Sequence, residues 1–328
     1  MRATMKKTFT AGFALLSLTL LAACGQQVGA DGRIGVVYLN AEGYYAGVQR
    51  GLEATFADGA REPQLIATNI QSDASRESTF VDTISSVQAD ALILSPASAT
   101  ASIPAIRLAH ENGVPVICYN TCIEDEAAEQ YVSGYILGDP TEFGAASGRQ
   151  MGDYFLEQGI ADPKVAVINC EQFEVCIQRR EGFEAALLER VPGAQIVANQ
   201  EGLTLDAAVE RAEQIITAHP DVDAFYGEAG SQMIGAVRAI RSRGLEGQTV
   251  VFGGDMSTQA AQMLEDNAIL KGVTDISGIK VGELAAQTAM QILAGEEPDE
   301  LVIPAPIDEY ATAASGADWI ETHPDGIP

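Results

Sequence analysis

The amino-acid sequence predicts an α/β protein built from two doubly wound parallel-sheet lobes, and three observations predict it. Strand-like and helix-like segments alternate from residue 34 onward. The strand segments are continuous apolar runs, as in parallel sheets covered on both faces, and not the in-out alternation of a half-exposed sheet. The alternation also breaks after residue 119 and restarts at residue 141, giving two successive arrays, each able to form its own open sheet.

In order, the first array opens with Ile34-Gly35-Val36-Val37-Tyr38-Leu39, followed by a helix over 44–57, a strand over 64–68 and a helix over 75–88. The apolar run Ala91-Leu92-Ile93-Leu94 reads as the next strand, 101–112 as a helix, and 114–119 as a strand, with Gly113 suited to the left-handed residue that ends a helix. The second array reads as a helix over 141–158, then strands over 164–168, 195–199, 224–226, 250–252 and 271–274. Helices over 178–190, 205–219, 231–243 and 258–267 alternate with them. Ligands of such sheets bind outside the carboxyl ends of the strands. The loops after Leu39, Tyr119, Ile168, Tyr226, Phe252 and Thr274 are therefore the candidate site.

Ahead of the fold, Arg2, Lys6 and Lys7 precede a short apolar run over 11–20 and then Leu21-Ala22-Ala23-Cys24. A charged start, an apolar stretch too short to span a membrane and small residues before a cut describe an export signal over 1–23. Leu-Ala-Ala-Cys resembles a lipobox, which makes Cys24 the lipidation site and 24–32 a lipidated linker. The expected location is the periplasm or the cell surface, with membrane contact through the lipid anchor only. The plainer reading is an ordinary cleaved signal with an incidental cysteine.

The chain carries a formal charge of −27. Removing the three basic residues of the signal leaves 16 basic against 46 acidic residues, a charge of −30. Nucleic acid is excluded as a partner, because such a field repels phosphate backbones. Hydrophobic residues make up 47% of the chain and the charges are dispersed, which describes a domain with a large core and not an acidic tail.

Four cysteines remain after Cys24, in two close pairs, Cys118 with Cys122 and Cys170 with Cys176. Export and an even count favour disulfides, of which local pairing is the simplest of three connectivities. Four free thiols and a metal site are the rivals. The three histidines, His110, His219 and His323, stand beside neither pair at ligand spacing, so no metal is expected.

Several passages occur together in a fixed order: Leu39-Asn40-Ala41-Glu42-Gly43-Tyr44-Tyr45 with Arg50-Gly51, Val114-Pro115-Val116-Ile117, Arg179-Arg180-Glu181-Gly182-Phe183, Thr217-Ala218-His219-Pro220-Asp221-Val222 and Gly253-Gly254-Asp255. On these, the chain over 33–312 resembles the ribose-type periplasmic sugar-binding proteins, the substrate-binding components of ABC importers. The resemblance implies two lobes joined by a three-segment hinge, 33–137 plus 276–302 forming the N-terminal lobe and 138–275 plus 303–328 the C-terminal lobe. It implies a monosaccharide or sugar-like polyol held in a cleft that closes on it, an ABC permease as partner, a monomer, no cofactor and no catalysis.

The family's ligand positions fall on Glu42, Tyr44, Tyr45, Asn120, Arg179, Glu228, Asp255 and Asp275. The chain departs from the pattern at Asn120 and Thr121, where the family has a charged pair, at Arg180, where it has glycine, and at Ala229, where it has asparagine and where Glu228 is the neighbouring substitute. The set suits a polyhydroxylated ligand: aromatic rings cover its C–H face, while a guanidinium and carboxylates bridge adjacent hydroxyls. Plainer roles exist for several of these residues. Tyr44 and Tyr45 suit packing at a helix start, Asp255 suits a cap on the helix near Thr258, and Glu42 a solvated loop. Both cysteine pairs flank these loops, an arrangement that would stiffen the cleft walls. The alternative in another class is a ligand sensor for chemotaxis or quorum-type signalling through a membrane receptor. An enzyme using Glu42, Asp255 and Asp275 as acid and base lacks any accompanying triad, metal cluster or phosphate loop.

Overall fold

Strand segments that read as apolar on both faces are buried on both faces: every residue of Ala91–Leu94 and Val116–Tyr119 is buried, as are five of the six in Arg33–Tyr38. The structure is a computed structural model that describes residues 32–59 and 62–328. The signal segment, Cys24 and the linker up to residue 31 lie outside the described residues.

The first array comprises β1 (Arg33–Tyr38), α1 (Tyr44–Asp58), β2 (Gln64–Asn69), α2 (Ala74–Ser86), β3 (Ala91–Leu94), α3 (Ile103–Glu111), β4 (Val116–Tyr119), α4 (Asp125–Tyr131) and β5 (Gly134–Leu137). The second comprises α5 (Pro140–Gln158), β6 (Lys164–Asn169), α6 (Glu174–Arg190), β7 (Gln195–Glu201), α7 (Leu205–Ala218), β8 (Ala224–Gly227), α8 (Gly230–Arg243), β9 (Val250–Gly254), α9 (Thr258–Asp266) and β10 (Leu270–Asp275). The chain closes with α10 (Gly278–Leu293), β11 (Val302–Pro304), β12 (Asp308–Tyr310) and α11 (Ala313–Thr322).

Two six-stranded sheets result, in the orders β11-β5-β4-β3-β1-β2 and β12-β10-β9-β8-β6-β7. The orders match strand for strand, so β1 to β5 correspond to β6 to β10 and β11 to β12. The first sheet is parallel throughout, whereas β12 runs antiparallel to β10. The chain passes between the sheets three times, between Leu137 and Pro140, between Asp275 and Gly278, and between Pro304 and Asp308. Each sheet is covered on both faces, by clusters around Ile93 and Leu94 in one and around Val167 and Phe225 in the other. Among the described residues no helix is long and apolar enough to cross a membrane.

Helix α6 starts at Glu174, four residues before the expected 178, because Cys170 and Cys176 are disulfide-bonded and draw its first turn against the end of β6. The periodicity reading passes over α4, β5, α10, β11, β12 and α11. Strands β11 and β12 hold three residues each, too few for a pattern, and exist by pairing with β5 and β10.

Candidate functional site

Glycines bring two helix pairs together where the site residues are carried. A Cβ on Gly144 of α5 would collide with the carbonyl oxygen of Arg179 on α6, and one on Gly278 of α10 with that of Tyr44 on α1. The close approach fixes the backbone of Arg179 from one side and of Tyr44 from the other, so the two side chains enter the space between the lobes from rigid supports.

That space is a cavity of about 500 Å³ at the carboxyl ends of the strands, lined by residues of both lobes. From the first lobe come Gly43, Tyr44, Tyr45 and Asn120; from the second, Arg179, Gly230, Ser231, Ile234, Asp255, Met256, Ser257 and Asp275, with Gly138 in the first crossover between them. Ile276 in the second crossover and Gly326 and Pro328 near the C-terminus complete it. The structure thus brings together six of the eight residues expected from sequence.

On the first-lobe wall, the Tyr44 and Tyr45 rings meet edge to face with centroids 5.3 Å apart, and Tyr45 does the same with the buried Tyr119 at 6.2 Å. The Asn120 side-chain amide donates to the Tyr45 hydroxyl at 3.0 Å, and the Tyr135 hydroxyl donates to the Asn120 carbonyl at 3.1 Å. Asn120 has a φ of 62°, a left-handed conformation that asparagine tolerates better than branched residues. Cys118 and Cys122 are bonded across this turn.

The second-lobe wall is charged. Arg179 Nη1 donates to the Glu228 carbonyl at 2.8 Å and to Asp255 Oδ1 at 3.2 Å, and its guanidinium lies 3.8 Å from the centre of the Phe143 ring. Asp255 Oδ2 accepts the Gly230 backbone N–H at 3.2 Å, which places the carboxylate at the amino end of α8. The cap of α9 is Ser257, whose hydroxyl accepts the Ala260 N–H, so Asp255 does not cap that helix and binds the amino end of α8 instead. Asp275 ends β10 and is 4% exposed; its Oδ1 accepts the Met256 N–H at 2.9 Å, and Oδ2 has no partner among the described residues. Burial pushes this carboxyl up to about 7.

Glu42 and Glu228 are not on the cavity wall. Glu42 is exposed in the loop before α1, its N–H donating to Asn40 Oδ1 at 3.0 Å. Glu228 is fully buried behind the wall, where its Oε2 accepts the Cys170 N–H at 2.8 Å, and burial pushes it up to about 8. Its carbonyl, and not its carboxylate, serves the site by holding Arg179. The Cys170 and Cys176 sulfurs and a Glu228 oxygen lie within 4.8 Å of one another, a grouping with metal-ligand spacing, but the disulfide consumes both thiols.

Sequence reasoning missed Ser231, Met256, Ser257 and Ile276, each beside an expected site residue or loop, where neighbours in a strand-end loop were a usable signal. Gly326 and Pro328 gave none, since their place depends on where the tail after α11 returns. That tail crosses to the first lobe, with Asp325 paired to Arg50 at 2.5 Å and the Pro328 carbonyl accepting the Ile279 N–H at 3.2 Å.

Together the walls set two aromatic rings and a side-chain amide opposite a guanidinium, two carboxylates and two serines. An oriented molecule with an apolar face and several hydroxyls can satisfy both. A model of the periplasmic binding protein domain matches residues 34–297. The ABC transporter periplasmic-binding protein YphF of Escherichia coli K12 is 49% identical over 295 residues, covering 90% of each chain. The D-ribose/D-allose-binding protein of Pseudomonas aeruginosa is 26% identical over 261 residues, covering 78% of this chain and 80% of the other. Among solved structures, an ABC transporter periplasmic solute binding protein of Actinobacillus succinogenes with bound D-allose superposes with a TM-score of 0.77 at 20% identity, covering 88% of this chain and all of that one. An ABC transporter solute binding protein of Bacillus halodurans with bound myo-inositol gives 0.72 at 18% identity, covering 88% and 97%.

Proposed function

The chain belongs to the periplasmic binding protein domain family, a family of binding proteins and not of enzymes, and from that premise we propose that it receives a monosaccharide or sugar-like polyol in the interlobe cavity for an ABC importer. The observation that carries the reading is the division of labour across the cavity. Tyr44 and Tyr45 offer aromatic surface for the C–H side of a ring, while Arg179, Asp255 and Asp275 offer donors and acceptors for its hydroxyls. Asn120 adds an amide beside the rings.

In this reading 33–137 with 276–302 and 138–275 with 303–328 are the units that close, hinged at the three passages between the sheets. An ABC permease recognises the closed form. Cys24, after its export signal, tethers the receptor near that permease, a role supported by the Leu21-Ala22-Ala23-Cys24 pattern. The bound sugars and polyol of the superposed structures support the ligand class.

The test is thermal unfolding against D-ribose, D-allose, D-fucose, D-arabinose and myo-inositol, with amino acids as controls. The expected result is a saturable stabilisation by one or a few of the polyols, growing with the logarithm of concentration above the dissociation constant. Stabilisation by none of them, or conversion of a bound polyol observed by NMR, overturns the reading.

A further inference from the structure

The charges on the cavity wall do not balance. Among the described residues lining it, Arg179 is the one cation, against the carboxyls of Asp255 and Asp275. Arg179 Nη1 is already committed to Asp255 and to the Glu228 carbonyl, and Asp255 also holds the amino end of α8. Asp275 has one backbone N–H, on Oδ1, and nothing on Oδ2.

The titratable groups around Asp275 are Tyr44 from α1, Arg179 from α6, Asp255 after β9, and Asp308 and Tyr310 from β12. Asp308 is itself paired with Lys280 of α10 at 2.7 Å. Among the described residues no cation in that surround bonds to Asp275: Arg179 reaches Asp255 and the Glu228 carbonyl, and Lys280 is held by Asp308. Water in an open cavity can solvate an ionised Asp275; a neutral ligand that displaces the water leaves the charge buried beside another carboxylate, which disfavours the ionised form.

We propose that closure of the cleft on a neutral polyol takes up one proton at Asp275, whose acid form then donates from Oδ2 to a ligand oxygen while Oδ1 keeps the Met256 N–H. This rests on the polyol-receptor reading above. The atoms balance simply: solvent or buffer supplies the proton, and one O–H bond forms. The unliganded carboxyl, raised by burial to about 7, is largely ionised at pH 8, so the uptake is measurable there. Above that value the free protein has lost the proton and the complex retains it. Affinity therefore tightens as pH falls through neutrality and weakens about tenfold per pH unit on the alkaline side. Below about pH 5 both states hold the proton and the dependence vanishes. A ligand bearing an ammonium group does the reverse, pairing with the carboxylate and expelling the proton. The sign of the proton exchange thus reports the charge class of the ligand.

Isothermal titration of the protein with D-allose, myo-inositol and the amino polyol N-methyl-D-glucamine, in buffers of differing ionisation enthalpy at pH 5 and pH 8, reads the exchange directly. For a neutral polyol that binds, the expected slope is an uptake of about one proton at pH 8 and about none at pH 5. Asp275→Asn is expected to bind with no uptake and a flat pH profile; a purely structural Asp275 would shift affinity equally at both pH values and leave the slope intact. Binding of a neutral polyol without uptake, or uptake that persists in Asp275→Asn, overturns the inference. Binding of N-methyl-D-glucamine alone, with proton release, overturns the inference but leaves a receptor. The same titration is run with whichever polyol of the thermal panel stabilises the protein; binding of no polyol in that panel overturns the inference together with the polyol reading, and the wild-type slope decides the matter even if the variant does not fold.

Discussion

The two lobes share one plan and divide the chemistry unequally. Their strand orders correspond one to one, so β4 and β9 occupy equivalent places, and the residue after each lines the cavity in a left-handed conformation: Asn120 at φ 62° and Asp255 at φ 67°. One is neutral and bonded to a tyrosine, while the other is charged and bonded to an arginine. The same contrast recurs at α1 and α6, which follow β1 and β6. The first presents Tyr44 and Tyr45, and the second presents Arg179. A duplicated scaffold thus fixes where side chains project, and their identity fixes which wall is aromatic and which is ionic. One bonded cysteine pair sits beside each wall.

The strongest way to break the contrast is Arg179→Ala. It leaves Asp255 without its cation and the Glu228 carbonyl without its donor. A loss of about 2–4 kcal/mol in polyol binding is expected, roughly a hundredfold in affinity, measured by titration with whichever sugar stabilises the wild type. An unchanged affinity would mean that the ionic wall is scaffolding.

A second test concerns stability, because the carboxyls raised to about 7 and 8, Asp275 and Glu228, both belong to the second lobe. Their folded-state values lie above the unfolded ones, so the folded chain holds more protons between about pH 4 and pH 8. The stabilising contribution is complete below that window and is lost as pH rises through it. Stability to thermal unfolding is expected to be lower at pH 8 than at pH 5 by about 3 kcal/mol for each carboxyl, with Glu228→Gln and Asp275→Asn each removing its own share of the decline. A decline untouched by either variant would assign it to the net charge of the whole chain.

The smallest effect belongs to the neutral wall. Tyr45→Phe keeps the ring but removes the acceptor for the Asn120 amide, and a loss of about 1 kcal/mol in polyol affinity is expected by the same titration. A loss as large as that of Arg179→Ala would erase the distinction between the walls.

Much of this was legible before any tertiary contact was known. The buried strands announced themselves because a parallel sheet covered on both faces needs uninterrupted apolar runs, as in Ala91-Leu92-Ile93-Leu94. Tyr44, Tyr45, Asn120, Arg179, Asp255 and Asp275 were reachable because strand-end loops are where such sheets bind ligands, and a family likeness selected among them. Glu228 was misread for a physical reason. Its place beside the loop is correct, but the Cys170 N–H and the packing behind the wall draw its carboxylate inward, a choice of side-chain direction that no one-dimensional pattern records.

By itself, then, the sequence determined the class of fold, the doubling of the array and the loops that line the cavity, because these follow from hydrophobic periodicity and chain order. The tertiary structure alone decided that β11 and β12 are strands, that the tail at Gly326 and Pro328 reaches the cavity, and that Asp275 Oδ2 is buried with no partner among the described residues. Each of these depends on groups far apart in the chain arriving at one place, where burial and the supply of partners, and not local propensity, set the energy of the arrangement.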